Sequence, residues 1–258
     1  MKENTCCGSK ELDQTEAVEN RYTAAAHKRE ECLCSPVSFN PDLLKAIPLE
    51  IIEKDYGCGN PTEWLIAGDH VLDLGSGSGK NAFIASQIVG ESGRVIGIDR
   101  NDEMIELARQ ANKTVAKNIG YSNVTFIQSG IASIHQCNQG GGKLVEDKSI
   151  DIVISNCVLN LVNFSERDLL LNNIKRVLKE NGRISISDIV ADKPIPLTMQ
   201  KNEDLWSGCI SGAWEESELI ASFKKQGFKN VMLAKREENP WKIINEIEFR
   251  SVTLVARL

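Results

Sequence analysis

"VLDLGSGSGKN", residues 71–81, is an apolar run that ends in glycines at alternate positions, Gly75, Gly77 and Gly79, and then enters a helix-forming stretch. A backbone that turns sharply and passes close to a ligand needs such residues. Two familiar phosphate loops do not fit. The pattern G-x-x-x-x-G-K-[ST] fails because Leu74 stands where its first glycine belongs and Asn81 replaces the magnesium-binding hydroxyl. The dinucleotide pattern G-x-G-x-x-G fails at its third glycine, which is Lys80. What remains is G-x-G-x-G, with Asp73 inside the preceding strand and Asp99 closing the next one.

Outward from the loop, short β-branched runs alternate with amphipathic stretches. Strands are predicted at 70–75, 94–99, 123–128, 150–156, 183–189, 230–234 and 249–257, and helices at 80–89, 101–118 and 166–179. In the second helix Met104, Leu107, Ala108 and Ala111 share one face by their i, i+3, i+4, i+7 spacing. Near-continuous apolar strands alternating with such helices predict an α/β fold, a doubly wound parallel sheet covered on both faces. The last two strands, separated by a short segment containing Pro240, predict an antiparallel end to that sheet. Residues 1–67 lack this rhythm. They read as an N-terminal helical cap, with a charged helix around 16–31, lying over the sheet's carboxyl edge, and residues 68–258 as the main domain.

The loop, the two acids and the βαβ rhythm together resemble the class I S-adenosylmethionine-dependent methyltransferases, whose sheet is Rossmann-like. Their cofactor has no pyrophosphate but carries a cationic amine and a ribose diol. A carboxylate such as Asp99, about 20 residues beyond the glycines, can accept both ribose hydroxyls.

Bulk properties narrow the field. A formal charge of −6 offers no basic face for nucleic acid or an anionic membrane. No run of 18 apolar residues is present to span a bilayer. The polar start, "MKENTCCGSKELDQ", lacks the apolar core of a signal peptide, so a cytoplasmic location with reduced thiols is expected. A monomer is expected. Eight cysteines, Cys6, Cys7, Cys32, Cys34, Cys58, Cys137, Cys157 and Cys209, show no C-x-x-C pair, and only three histidines accompany them. That spacing does not suit a structural zinc site.

Three of these cysteines stand in unusual places. Cys58 sits between two glycines in "YGCGNP", Cys157 follows the fourth strand in "ISNCVLNLV", and Cys209 lies in "LWSGCISGA". A buried cysteine is usually a small hydrophobe. Three thiols from distant segments, converging over one cofactor, would instead select a soft centre such as trivalent arsenic. These motifs, with "VLDLGSGSG", "RVLKENGRISISDI" and "FRSVT", occur in order, and over residues 32–258 the chain is similar to the arsenite methyltransferases.

The resemblance implies the following roles. Cys157 and Cys209 hold arsenic throughout the cycle, and Cys58 is a third ligand that exchanges from a flexible hinge. A further N-terminal cysteine, Cys32 or Cys34, relays arsenic or forms a disulfide with Cys58. Tyr56, Gly75, Ser76, Asp99, Ile131 and Val158 contact S-adenosylmethionine, in a site to which Asp73, Gly77, Gly79, Arg100 and Asn156 also belong. A thiol reductant, thioredoxin or glutathione, serves as co-substrate. Arsenic attacks the methyl through its own lone pair, so no general base is required.

Some positions depart from the family. Arg100 stands where a methionine is usual, Ala132 replaces an acid, and the chain stops at Leu258 without the family's long C-terminal domain. Two other functions fit less well. A methyltransferase acting on an oxygen, nitrogen or carbon nucleophile would need a base, for which only His135 is near. A thiol protein that merely sequesters metal would not need an intact cofactor loop.

Overall fold

The computed structural model describes residues 14–27, 37–54, 56–136 and 142–258. Its elements run in the order α1 (Gln14–His27), α2 (Pro41–Leu44), α3 (Leu49–Glu53), β1 (His70–Leu74), α4 (Lys80–Val89), β2 (Arg94–Asp99), α5 (Asp102–Ile119), β3 (Val124–Gln128) and β4 (Ile150–Asn156). Then come α6 (Arg167–Val177), β5 (Leu178–Ala191), α7 (Leu197–Gln200), α8 (Glu203–Ser207), β6 (Trp214–Glu215), α9 (Glu216–Lys225), β7 (Lys229–Arg236), β8 (Lys242–Ile244) and β9 (Ile247–Arg257). The main sheet has the order β3-β2-β1-β4-β5-β9-β7. β1 to β5 pair in parallel, and β9 runs antiparallel to both β5 and β7.

Period-two alternation sorts the strand residues between two cores. Val71 of β1 and Ile152 and Ile154 of β4 pack with Ala82, Phe83 and Ile105 on one face. Leu72, Leu74 and Val153 point the other way, onto Leu170, Ile174 and Phe223 of α6 and α9. Both faces are therefore covered, as the apolar strands require. Helix α5 shows how local signals set its ends. The Asn101 side chain caps it by accepting the Met104 amide, and Gly120, at φ 89°, closes it. Chain direction across the sheet reverses between β1 and β4, and at that switch point the strands' carboxyl ends open a crevice.

The predicted elements are all present, with differences at their ends. The third predicted helix stops at Val177 because Leu178 already pairs with Ile150, through a ladder irregularity that the sequence does not signal. The short β6, β8 and helix α9 went unpredicted. Helix α1 covers the described part of the predicted N-terminal helix, and residues 28–31 lie outside the described residues. No described helix is long and apolar enough to cross a membrane.

Candidate active site

The crevice is built first from the β1–α4 loop. Gly75 and Ser76 donate their amides to the Ile98 carbonyl at 2.7 and 2.9 Å, which folds the loop back over β2. Gly75 has φ 72°, and a Cβ there would lie 2.3 Å from the Val158 side chain. Only glycine meets both conditions. The Gly77 amide donates to one Asp99 oxygen at 2.8 Å, and the Asn101 amide donates to the other at 2.9 Å. Burial raises the pKa of Asp99, although these amides oppose the rise. Each oxygen retains a lone pair for a further donor. The Ser76 hydroxyl and the Asn81 side-chain oxygen are buried in the same wall, with no hydrogen-bond partner among the described residues.

Tyr56, Gly75, Ser76, Gly77, Asp99 and Arg100 line this pocket, as do Ile131, Asn156, Cys157 and Val158. Asp73 and Gly79 do not. Asp73 is buried within β1, and Gly79 sits at the mouth of α4. Several lining residues went unnoticed in the sequence. Helix α1 contributes Val18, Glu19 and Tyr22, and α8 contributes Trp206. Helix α1 is anchored at three points. The Tyr56 hydroxyl donates to Ala25 O at 2.9 Å, Asn101 donates to the Thr23 hydroxyl at 2.8 Å, and Arg21 donates to Asp204 O and the Ser207 hydroxyl, each at 3.1 Å. None of these contacts follows from periodicity.

The three singled-out cysteines do meet. Cys58, Cys157 and Cys209, each only 5% exposed, share one apolar cluster with Ile189, Met199 and Phe249. Cys58 and Cys157 are joined as a disulfide, with Cα atoms 5.9 Å apart. The Cys209 thiol donates to the Cys157 carbonyl at 3.4 Å and lies within hydrogen-bonding reach of the Tyr22 hydroxyl. Burial and the adjacent Cys209 raise the Tyr22 pKa well above its usual range. Cys157 and Cys209 both have left-handed backbones, φ 57° and 62°. Cys6, Cys7, Cys32, Cys34 and Cys137 lie outside the described residues.

The glycines around Cys58 do not make a free hinge. Asn156 accepts the amides of Cys58 and Gly59 at 3.0 and 3.2 Å and donates to Gly59 O at 2.8 Å. A Cβ on Gly57 would lie 2.2 Å from the Asn156 amide, and one on Gly59 would lie 2.6 Å from Ser187. Close packing, rather than mobility, explains both glycines.

Behind the thiols stand three polar residues that the sequence reading missed. Asp188 is 2% exposed and accepts the amides of Leu159 at 3.0 Å and Ile189 at 2.8 Å. Burial pushes its pKa up to about 7. Asn160 donates to Ile189 O at 2.7 Å and to Cys209 O at 3.2 Å, so it ties the Cys209 turn to β5. Arg167 lies between the rings of Phe164 and Trp214, at 4.1 and 4.2 Å, and donates to Gly212 O. Burial lowers its pKa to about 10. The one available signal was "SISDI", which carries an acid among uncharged strand residues. His135 is exposed, bonded with Asn173, and does not line the pocket.

A family model described as a methyltransferase domain matches residues 65–237, two-thirds of the chain. The chain belongs to this methyltransferase family. Curated relatives include the arsenite methyltransferase of Halobacterium salinarum, 40% identical over 71% of this chain and 44% of that protein. The arsenite methyltransferase of Mus musculus is 33% identical over 82% of this chain and 57% of that protein. This methyltransferase thus spans about half the length of the relatives it matches. The crystal structure of an arsenic(III) S-adenosylmethionine methyltransferase from Chlamydomonas reinhardtii superimposes with a TM-score of 0.74 at 33% identity, over 84% of this chain and 74% of that one. The YcgJ protein of Bacillus subtilis shares the fold alone, at 18% identity and a TM-score of 0.55.

Proposed function

We propose that this chain methylates trivalent arsenic, both arsenite and its methylated products, with S-adenosylmethionine as donor and, once a thiol has reduced the Cys58–Cys157 disulfide, the thiolates of Cys58, Cys157 and Cys209 as arsenic ligands. The observation that carries this reading is the meeting of those three cysteines in one cluster, with Cys157 on the wall of the glycine-loop pocket. The activities by which the relatives are named agree with it. S-adenosylmethionine fits the pocket's chemistry. Asp99 has lone pairs to accept ribose hydroxyls, Ser76 and Asn81 offer buried polar atoms, and Gly75 lets the backbone approach closely. When bound, it supplies an electrophilic methyl group. The chain's part is to hold the nucleophile in line, exclude water and keep arsenic trivalent on soft sulfur donors. The absence of histidine among the described pocket residues suits a nucleophile that has no proton to lose.

Further parts of the reading follow from the sequence. Residues 1–67 act as a cap on a 68–258 catalytic domain, Cys32 or Cys34 relays arsenic, and a cytoplasmic thiol system, thioredoxin or glutathione, reduces the enzyme. Incubation with arsenite, S-adenosylmethionine and thiol should yield methylated arsenicals by arsenic speciation. Unchanged arsenite, with S-adenosylmethionine still binding by calorimetry, would instead favour methyl transfer to another nucleophile.

A further inference from the structure

Cys58 and Cys157 face a third ligand-type side chain that the arsenic reading does not use. Their sulfurs and an Asp188 oxygen all lie within 4.8 Å of one another, and all three residues are buried. The Asp188 carboxylate is already oriented. It accepts amides from Leu159, Asn160 and Ile189. A carboxylate has about four lone-pair positions, so one is left for a further partner. The charge of Arg167 acts on it as well, from a side chain found in no ion pair among the described residues.

We propose that, once the disulfide is reduced, Cys58, Cys157 and Asp188 bind a borderline divalent cation, of which zinc is the type, and that this cation excludes arsenic by occupying two of its three thiolates. Zinc takes thiolate at about 2.3 Å and carboxylate at about 2.0–2.2 Å, so its donors must lie within roughly 4 Å of one another. Reduction moves the sulfurs from bonding to contact distance, toward that spacing. A mixed sulfur and oxygen set suits zinc better than a purely soft centre, which Cys209 serves instead. Charge also balances, because two thiolates and a carboxylate face Zn²⁺ and Arg167⁺. This is an open three-ligand site assembled by the tertiary fold, which explains why cysteine spacing along the chain gave no sign of it. The inference goes beyond the arsenic reading and shares with it only the two thiols.

The test uses full-length protein carrying Cys6, Cys7, Cys32, Cys34 and Cys137 as serine, reduced anaerobically with a phosphine. The S–S bond breaks, phosphorus is oxidised to phosphine oxide with oxygen from water, and each sulfur gains a proton. Zn²⁺, titrated against a chromogenic chelator, then displaces the thiol protons to solvent. One equivalent should bind the reduced protein and none the disulfide form. Cys58→Ser, Cys157→Ser and Asp188→Asn should each weaken binding at least about tenfold, since losses in the surrounding shell alone reach 10–100-fold. Cys209→Ser should bind Zn²⁺ within about threefold of its parent while losing arsenite, which separates this proposal from the arsenic one. Cd²⁺ in place of Zn²⁺ should show a charge-transfer band for two thiolates. Wild-type affinity in a folded Asp188→Asn variant, or a three-thiolate band, would overturn the proposal.

Discussion

Asp99 and Asp188 are both held by backbone amides at the sheet's carboxyl edge, yet they do different work. Asp99 opens on the pocket, whereas Asp188 is sealed behind the thiols and has its pKa raised to about 7. A carboxyl group ionises near 3.9 in an unfolded chain. Between pH 4 and 7 the folded protein therefore holds a proton that the unfolded chain has released, and stability falls as pH rises through that window. Asp188→Asn should remove this slope, so its melting temperature should gain on wild type from pH 4 to 8. Parallel curves in thermal unfolding would mean that Asp188 is ionised throughout. Under the proposed function the cysteines should divide by role as well. Cys157→Ser and Cys209→Ser should abolish methylation of arsenite and of monomethyl arsenic, because serine is a hard donor. Monomethyl arsenic has two exchangeable bonds, so Cys58→Ser should stop the first methylation and spare part of the second. Speciation with both substrates decides this, and equal losses at Cys58 and Cys157 on the monomethyl substrate would sink the two-plus-one arrangement.

At the scale of elements, helix α1 is the part whose contacts the sequence did not reveal. A helical cap over the sheet's carboxyl edge could be read from a charged stretch, but the docking of α1 rests on Arg21, Thr23, Ala25 and Tyr56, which meet residues 31 to 186 positions away. Long-range pairs of this kind leave no periodic trace. The glycine loop, by contrast, was legible because its geometry is local. Gly75 must turn with φ 72°, and its neighbours in sequence form the turn. Cys58, Cys157 and Cys209 could be picked out by their settings, but Asp188 and Asn160 look like ordinary strand and turn residues until the fold places them behind the thiols. Arg21→Ala removes both hydrogen bonds from α1 to α8, each worth about 1 kcal/mol. It should weaken S-adenosylmethionine binding roughly three- to tenfold by calorimetry, with circular dichroism unchanged. No loss of affinity would show that α1 covers the pocket without holding its contents.

Across the whole molecule, the Cys58–Cys157 bond joins the segment before β1 to the end of β4, a sequence separation of 99 residues. Closing so long a loop restricts the unfolded chain and is worth about 2–5 kcal/mol. Reduction should therefore lower the melting temperature of wild type and leave Cys58→Ser unaffected. Equal shifts in the two proteins would assign the effect to other thiols. Cys157, one end of that bond, lies on the crevice wall, so redox state should change the stability of the fold and, under the proposed function, access of arsenic to the thiols.

The left-handed backbones at Cys157 and Cys209 bear on how this chain can vary. Any residue with a Cβ pays for φ near 60°, and glycine or asparagine pays least. A library randomised at Cys209, the free cysteine of the two, and selected only for a sturdy fold should drift toward those two residues. Under selection for growth in arsenite it should return to cysteine, whose worth at that position lies outside the fold.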